Sequence, residues 1–442
     1  MRLTSALRAI LAGLLATACF AFGQAAAQTS AAPTTTIIHA GRLLADPATG
    51  RVERERSIIV RGDGTIEAVE AGYVTREGAR VIDLKNRFVL PGLIDSHVHL
   101  TGELGPSARL DAMTRSASDQ AMFAARNATR TLLAGFTTVA DVGADDPDSI
   151  FALRNAVANN WVQGPRILAA GAIITPHGGH GDINGYRADV MQLLGSPGAC
   201  SGADDCRRAV RQMVQRGADL IKIVATGGVL SNTAAGVAQQ FTLDEMRAIV
   251  ETAHGLGRRV TAHAHGADGI NAALTAGVDS IEHGTYLDAT GIRLLKQGNR
   301  YLVPTMEAGA YVTEIADRPG VLTPAQAAKA RQVGPALVEM VRRARASRVR
   351  IAFGTDTGVS PHGDNAREFE LLVAAGYTPL EAIQFATVAA ADHLQIGNVA
   401  GRIAPGYSAD IIGVDGDPLA SVAALRGGVS FVMARGGVAK GP

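Results

Sequence analysis

Three cysteines and no surplus of either charge are spread over 442 residues, and each scarcity removes a class of protein. Lysine plus arginine number 42 against 41 for aspartate plus glutamate. No basic excess exists to neutralise phosphates, so nucleic acid is not an expected partner. Beyond the first 27 residues no uninterrupted apolar stretch approaches the roughly 20 residues of a membrane-spanning helix. The 51 glycines follow no collagen-like period, which rules out a fibrous chain. No Gly-x-x-x-x-Gly-Lys-Ser/Thr loop or complete Rossmann fingerprint follows a first strand, and no Gly-x-Ser-x-Gly elbow is present. Nucleotide binding and Ser-His-Asp hydrolysis therefore lack a sequence basis. What is there is a 47% hydrophobic chain with 19% charged residues, long enough for a large core and too apolar to be disordered.

Arg2 and Arg8 precede the uncharged apolar run 10–22, and Ala25 and Ala27 supply the small residues of a signal-peptidase site. Residues 1–27 are expected to be a cleaved secretory signal, making the chain exported, periplasmic or secreted. The apolar run is too short to span a bilayer of ~30 Å at ~1.5 Å per helical residue. Lipidation at Cys19 is the weaker alternative, because Ala16 stands where a branched apolar residue is preferred. Cys200 and Cys206 then remain, flanking Ser-Gly-Ala-Asp-Asp, and in an oxidising compartment they predict a local disulfide. A thiolate metal site would want further ligands at short spacing, and none is near.

From residue 34 to 89 short β-branched runs are separated by Asp-Pro and Gly-Asp-Gly, the texture of a small β unit. Thereafter β-branched runs alternate with Ala/Leu/Arg stretches of helical period. Eight candidate strands are 88–100, 135–142, 166–175, 219–226, 259–265, 278–286, 301–305 and 349–355. Thr242 with Glu245 and Thr378 with Glu381 are spaced as helix N-caps. Eight βα units predict an α/β fold, a (β/α)8 TIM barrel over residues 91–394. Both chain ends, 28–90 and 395–442, are expected to join in one small β-sandwich. An open doubly wound sheet is the alternative, since alternation alone does not separate closed from open.

His97 and His99 sit two apart at a strand end and so share a face. Ligand-type residues recur at the carboxyl ends of other candidate strands, at Lys222, His263, His283 and Asp356, where barrel active sites form. Imidazole and carboxylate suit zinc and other borderline divalent ions. Lys222 lies in the apolar strand Asp-Leu-Ile-Lys-Ile-Val-Ala, where an unpaired ammonium is costly to bury. Two readings stand: a neutral amine that takes up carbon dioxide as a carbamate bridging two cations, or a lysine paired with a carboxylate such as Asp219 or reaching solvent.

These residues, His97-Val-His99 after Pro-Gly-Leu-Ile-Asp, Lys222, His263, His283 in Ile-Glu-His-Gly and Asp356 in Phe-Gly-Thr-Asp, resemble the metal-dependent amidohydrolase superfamily across the whole mature chain. The resemblance is closest to its Xaa-Pro dipeptidase-like and imidazolonepropionase-like branch, which includes metallo-carboxypeptidases and ochratoxin-hydrolysing amidases. It implies one cation held by His97, His99 and Asp356, a second held by His263 and His283, and carboxylated Lys222 bridging them. It also implies a homo-oligomer, in some members an octamer. His265 competes with His263 as ligand; the 20-residue spacing to His283 favours His263. Gly266 stands where mononuclear deaminase branches carry the glutamate of His-x-x-Glu, which disfavours deamination.

Two divalent ions, zinc by default, would lower the pKa of a shared water towards ~7 and polarise the scissile carbonyl. Asp356 is placed to carry the proton to the leaving nitrogen. His180, in the glycine-rich segment with His177, resembles a contact to substrate carbonyl or carboxylate, and His362 after the eighth strand is a second substrate-binding candidate. Thr226-Gly-Gly-Val-Leu-Ser-Asn reads as a substrate loop. His39, His254 and His393 fall outside the pattern and are expected to be surface or packing residues. The expected activity is hydrolysis of the amide bond of dipeptides or N-acyl amino acids, including ochratoxin-type conjugates. A cyclic amidase or lactonase is the alternative enzyme, and a metal-binding protein without turnover the alternative class.

Overall fold

The computed structural model describes residues 35–231 and 236–441. The expected signal, and Asn232 of the glycine loop, lie outside them. Seventeen strands are present among the described residues: β1 (Thr36–Leu43), β2 (Glu53–Val60), β3 (Ile66–Ala71), β4 (Arg80–Pro91), β5 (Leu93–Val98), β6 (Phe136–Asp141), β7 (Arg166–Ala169), β8 (Thr175–Pro176), β9 (Ala199–Cys200), β10 (Ile221–Val224), β11 (Val260–Ala264), β12 (Ser280–His283), β13 (Tyr301–Val303), β14 (Arg350–Ile351), β15 (Ile411–Val414), β16 (Val429–Ala434) and β17 (Gly437–Lys440).

The two chain ends share one seven-stranded sheet of order β17-β16-β15-β4-β1-β2-β3. Where the sequence suggests a sandwich, the structure has a single sheet that curls on itself. Its β3 edge bridges residue 408 through Thr65, and Ile66 exchanges hydrogen bonds with residues 406 and 407. The curl encloses its own core of Ile38, Leu43, Ile58, Ile82, Phe431 and Met433 among others, because alternate side chains of each strand turn inward.

Eight strands form two parallel sheets, β5-β6-β7 and β10-β11-β12-β13-β14. Hydrogen bonds continue from one to the other at both edges. Ile174 N–H reaches Lys222 O at 2.8 Å and Val224 N–H reaches Ile174 O at 3.1 Å; on the far side Ser96 N–H reaches Phe353 O and Asp356 N–H reaches His97 O, at 2.9 and 2.7 Å. Helices follow the strands, with capping boxes at Thr242–Glu245 and Thr378–Glu381 as the sequence predicts. The largest apolar cluster fills the space between strands and helices.

The strands are shorter than expected, and the largest differences have local causes; the sixth ends at His283, which has φ 68°. The first candidate strand is two: β4 belongs to the curled sheet, and the chain changes partners at Gly92, whose N–H bonds Asp410 O while Leu93 N–H bonds Gly135 O. The third breaks after Ala169 because Gly171 adopts φ 76°, a conformation outside any strand. The eighth is regular only over Arg350–Ile351; Asp356 has φ 61°, so residues 352–357 bond β5 without strand geometry. Between β8 and β9, residues 177–198 form an excursion closed by the pairing of those strands; the Cys200–Cys206 disulfide ties β9 to the helix that follows it.

Candidate metal centre

All six expected ligand side chains arrive at the carboxyl end of the parallel strands. His97 lies in β5 with His99 just past it, Lys222 in β10, His263 in β11 with His265 just past it, His283 ends β12 and Asp356 lies beyond β14. The donor atoms of His97, His99 and Asp356 form one group and those of His263, His265 and His283 another, each within 4.8 Å of one another. Lys222, 2% exposed, brings its Nζ to 3.3 Å from His97 Nε2. Asp219 is not its partner. That carboxylate instead accepts from Arg154 at 2.8 Å and Ala169 N–H at 2.9 Å. Burial pushes the Lys222 amine below its usual pKa, against the opposing pull of Glu282 and Asp356.

Each histidine is held at one ring nitrogen. His97 Nδ1 meets Glu282 Oε2 at 2.7 Å, His99 Nδ1 the Gly143 carbonyl at 2.8 Å, His265 Nδ1 Thr285 Oγ1 at 2.8 Å and His283 Nδ1 Thr305 Oγ1 at 2.6 Å. These four leave Nε2 facing the centre. His263 is the exception: its Nε2 approaches the Gly227 carbonyl at 3.4 Å, leaving Nδ1. Burial holds His97, His263 and His283 well below the usual imidazole pKa, with neighbouring cationic groups adding to the effect. They are neutral, as metal ligation requires. At His99 burial works against the charge, yet the Asp356 carboxylate raises its pKa.

Three of the nine non-glycine residues with positive φ among the described residues lie here. His283, Thr305 and Asp356 take φ of 68°, 48° and 61°, uncommon for residues with side chains and sustained only where the surroundings impose it.

His180 joins the cluster, its ring 4.4 Å from that of His263. Its Nδ1 meets Ser231 Oγ at 2.5 Å and its N–H donates to Gln240 Oε1 at 2.9 Å. Burial lowers its pKa to about 3. Gly228 lies flat against this ring, where a Cβ would come within 2.2 Å of His180 Nε2. The 226–231 loop thus covers His180, clamped from outside by Lys329, which donates to the Gly228 and Ser231 carbonyls at 2.8 Å each.

His177 faces away, bonded to Ser201 Oγ beside the disulfide. His362 is buried and donates to the Gly102 carbonyl at 3.0 Å, so it is joined to the turn after His99 rather than to the ring cluster. His39 bonds the Val74 carbonyl, His254 meets Asp279, and His393 packs on Tyr301, all away from the centre.

Sequence reasoning passed over several buried residues. Glu282, fully buried, accepts from Thr261 and Ser280 as well as His97. Asp95 accepts from the His97 and Thr355 N–H groups, from Thr355 Oγ1 and from Asn365, tying the end of β5 to the segment bearing Asp356. Asp141 accepts from Leu100 and Gly143 N–H. Burial raises both aspartates to about 6. Their signal was available: a carboxylate in an apolar strand is costly unless bonded.

The donor set fits a divalent cation. Asp356 Oδ1 is buried and takes no hydrogen bond, although His99 Nε2 and His97 Nε2 lie 3.2 and 3.5 Å away. An orphaned anionic oxygen facing ring nitrogens whose other nitrogen is engaged is the arrangement that ligation satisfies.

The amidohydrolase family model matches residues 88–439. An ochratoxinase of Aspergillus niger is 31% identical over 434 residues, covering 92% of this chain and 87% of its own length. Among solved structures, a Xaa-Pro dipeptidase with methionine bound in its active site is 38% identical with a TM-score of 0.87, over 92% of this chain and 100% of that one. A prolidase complexed with N-methylphosphonate-L-proline is 29% identical with a TM-score of 0.84, over 92% and 100%.

Proposed function

This chain belongs to the amidohydrolase family, and on that premise we propose that it is an exported metallo-hydrolase that cleaves the amide bond of dipeptides or N-acyl amino acids and frees the C-terminal amino acid. The observation that carries this reading is the pair of donor groups with Lys222 beside them at one end of the parallel strands. The ochratoxinase and Xaa-Pro dipeptidase likenesses point to an amide next to an amino-acid carboxylate. The ochratoxinase likeness extends the reading to ochratoxin-type conjugates.

The edge-to-edge bonding of the two parallel sheets supports a closed (β/α)8 barrel. We take it to span 91–394, with 28–90 and 395–442 as the curled sheet and 1–27 as the export signal. The disulfide agrees with an oxidising compartment. Among the described residues no helix is long and apolar enough to cross a membrane. A homo-oligomer follows from the family resemblance.

His97, His99 and Asp356 would hold one cation, and His263 and His283 a second, with Lys222 bridging as a carbamate. In that step the neutral amine adds to carbon dioxide and gives up a proton, leaving an anion with two oxygens. Bound divalent cations, zinc by default, would acidify a water and polarise the scissile carbonyl. The Asp356 carboxylate, beside that water, would take its proton and deliver it to the departing nitrogen, without which an amine leaves poorly. His180, uncharged and fixed by Ser231, bonds the substrate carbonyl or carboxylate. His362 acts on substrate through the turn that it holds. His99 and Asp356 keep 24% and 11% of their side chains exposed, against 1% for His97, so substrate enters on their side.

The test is metal analysis with hydrolysis of carbobenzoxy-dipeptides varied at the C-terminal residue. Two metal equivalents per chain and turnover abolished by chelation are expected, and Lys222→Ala loses both metal and turnover. Full metal content and rate in Lys222→Ala would exclude the carbamate, and turnover of lactones or cyclic imides alone would displace the amidase reading.

A further inference from the structure

His283 Nδ1 is held by Thr305, the residue that precedes a helix. The helix Met306–Glu314 begins directly after Thr305, and a threonine there normally turns its hydroxyl back onto the first N–H groups of the helix. Thr305 does not; no side-chain cap bond is present. Its hydroxyl hydrogen goes to the Pro304 carbonyl at 2.8 Å. Its oxygen must therefore accept from His283 Nδ1, 2.6 Å away. A hydroxyl has one hydrogen to give, so this bond fixes the proton on His283 Nδ1 and the lone pair on Nε2.

With Thr305 diverted, the helix start needs another acceptor, since its first N–H groups have no partners within the helix. Glu368, from the helix Arg367–Ala374, supplies it: Oε1 accepts from Met306 N–H at 3.1 Å and Oε2 from Glu307 N–H at 2.7 Å. Glu368 is fully buried. A buried carboxylate is an expensive cap, and it is needed because Thr305 holds the left-handed conformation, φ 48° and ψ 45°, in which its hydroxyl is turned from the helix start to His283.

We infer that Glu368 is a positioning residue for the metal centre: by capping the helix Met306–Glu314 in place of Thr305, it frees the Thr305 hydroxyl to hold His283 with Nε2 presented to the cation. This rests on His283 being a ligand, as proposed above.

The experiment is competition between the full-length protein and a chromophoric chelator for cobalt(II) or zinc(II), with thermal unfolding of the metal-free proteins alongside. Glu368→Ala is expected to weaken the weaker-held equivalent by about 10- to 100-fold, the scale on which partners of ligating histidines act. Thr305→Val should weaken it similarly, and the double variant should be no worse than Thr305→Val alone, because both act through one bond. Folded Glu368→Ala holding metal as tightly as the unmodified chain, or losses that multiply in the double variant, would overturn the inference. Should Glu368→Ala not fold, Glu368→Gln decides: it keeps one acceptor oxygen, an intermediate loss supports the inference, and unchanged affinity overturns it. His283→Ala separates the two readings. If it retains both equivalents, the ligand assignment itself fails; if it loses one while folded Glu368→Ala does not, only the role of Glu368 fails.

Discussion

A neutral imidazole offers a metal one lone pair, and the bond at the other nitrogen decides where that lone pair lies. At His97 the decision is made by Glu282, a carboxylate that must accept, 185 positions away in sequence. Replacing it by glutamine keeps the volume and removes the charge, and an amide can donate as well as accept, so the tautomer is no longer imposed. Glu282→Gln is expected to lose about 10- to 100-fold in metal affinity, with kcat/KM following. Chelator competition measures the first, and an unchanged affinity would mean that the strand alone orients His97. The histidines themselves were legible because they recur at strand ends, a pattern contained in local spacing. Glu282, Thr305 and Glu368 were not, because what they do depends on which strand lies beside them, and no spacing encodes that.

Among the elements, helix starts were the most legible, since a capping box is a purely local device. Thr242 and Glu245 bond each other's backbone as expected, at the start of a helix that contributes no residue to the centre. Thr242→Ala should cost about 1 kcal/mol of stability, read as a lower denaturation midpoint, with kcat/KM unchanged; a fall in activity would tie this helix to the site. Strand ends were the least legible. The left-handed turns at His283 and Asp356 interrupt the alternation that a sequence pattern relies on, and they do so where a ligand must be re-aimed out of the strand plane. The sequence pattern therefore overran the sixth and eighth strands at the places where they turn towards function.

At the scale of the whole molecule, the alternation of β and α segments announced parallel strands, whereas the curled sheet was legible only as turn-rich texture. Its two halves lie at opposite ends of the chain and must find each other. One tie between sheet and parallel strands is Arg166, at the start of β7, which meets Asp410 Oδ2 at 3.1 Å and Ser408 Oγ at 3.0 Å. The Asp410 side chain is 3% exposed and that of Arg166 25%, so removing the arginine strands a buried carboxylate that keeps only the Arg435 N–H. Arg166→Met should lower stability by about 1–3 kcal/mol, below the range for a fully buried pair because the arginine is partly solvated. The unfolding transition reports the loss, while turnover per folded molecule stays constant.

The excursion of residues 177–198 leaves and re-enters the body at one place, where β8 meets β9, and β9 is tied in turn to the next helix by the Cys200–Cys206 disulfide. Its helix Ala188–Leu194 buries no residue, and Leu193 stands 82% exposed. Beyond His180, Asp182 accepts from the Gly178 and Ser196 N–H groups and so ties the two arms of the flap together; the part outside that tie rests lightly enough to lengthen, shorten or drift over generations while the strands that carry the histidines stay as they are. A chimera carrying a relative's version of residues 183–195 alone, with His180 and Asp182 kept, is expected to change which substrates are preferred while leaving the unfolding midpoint where it was.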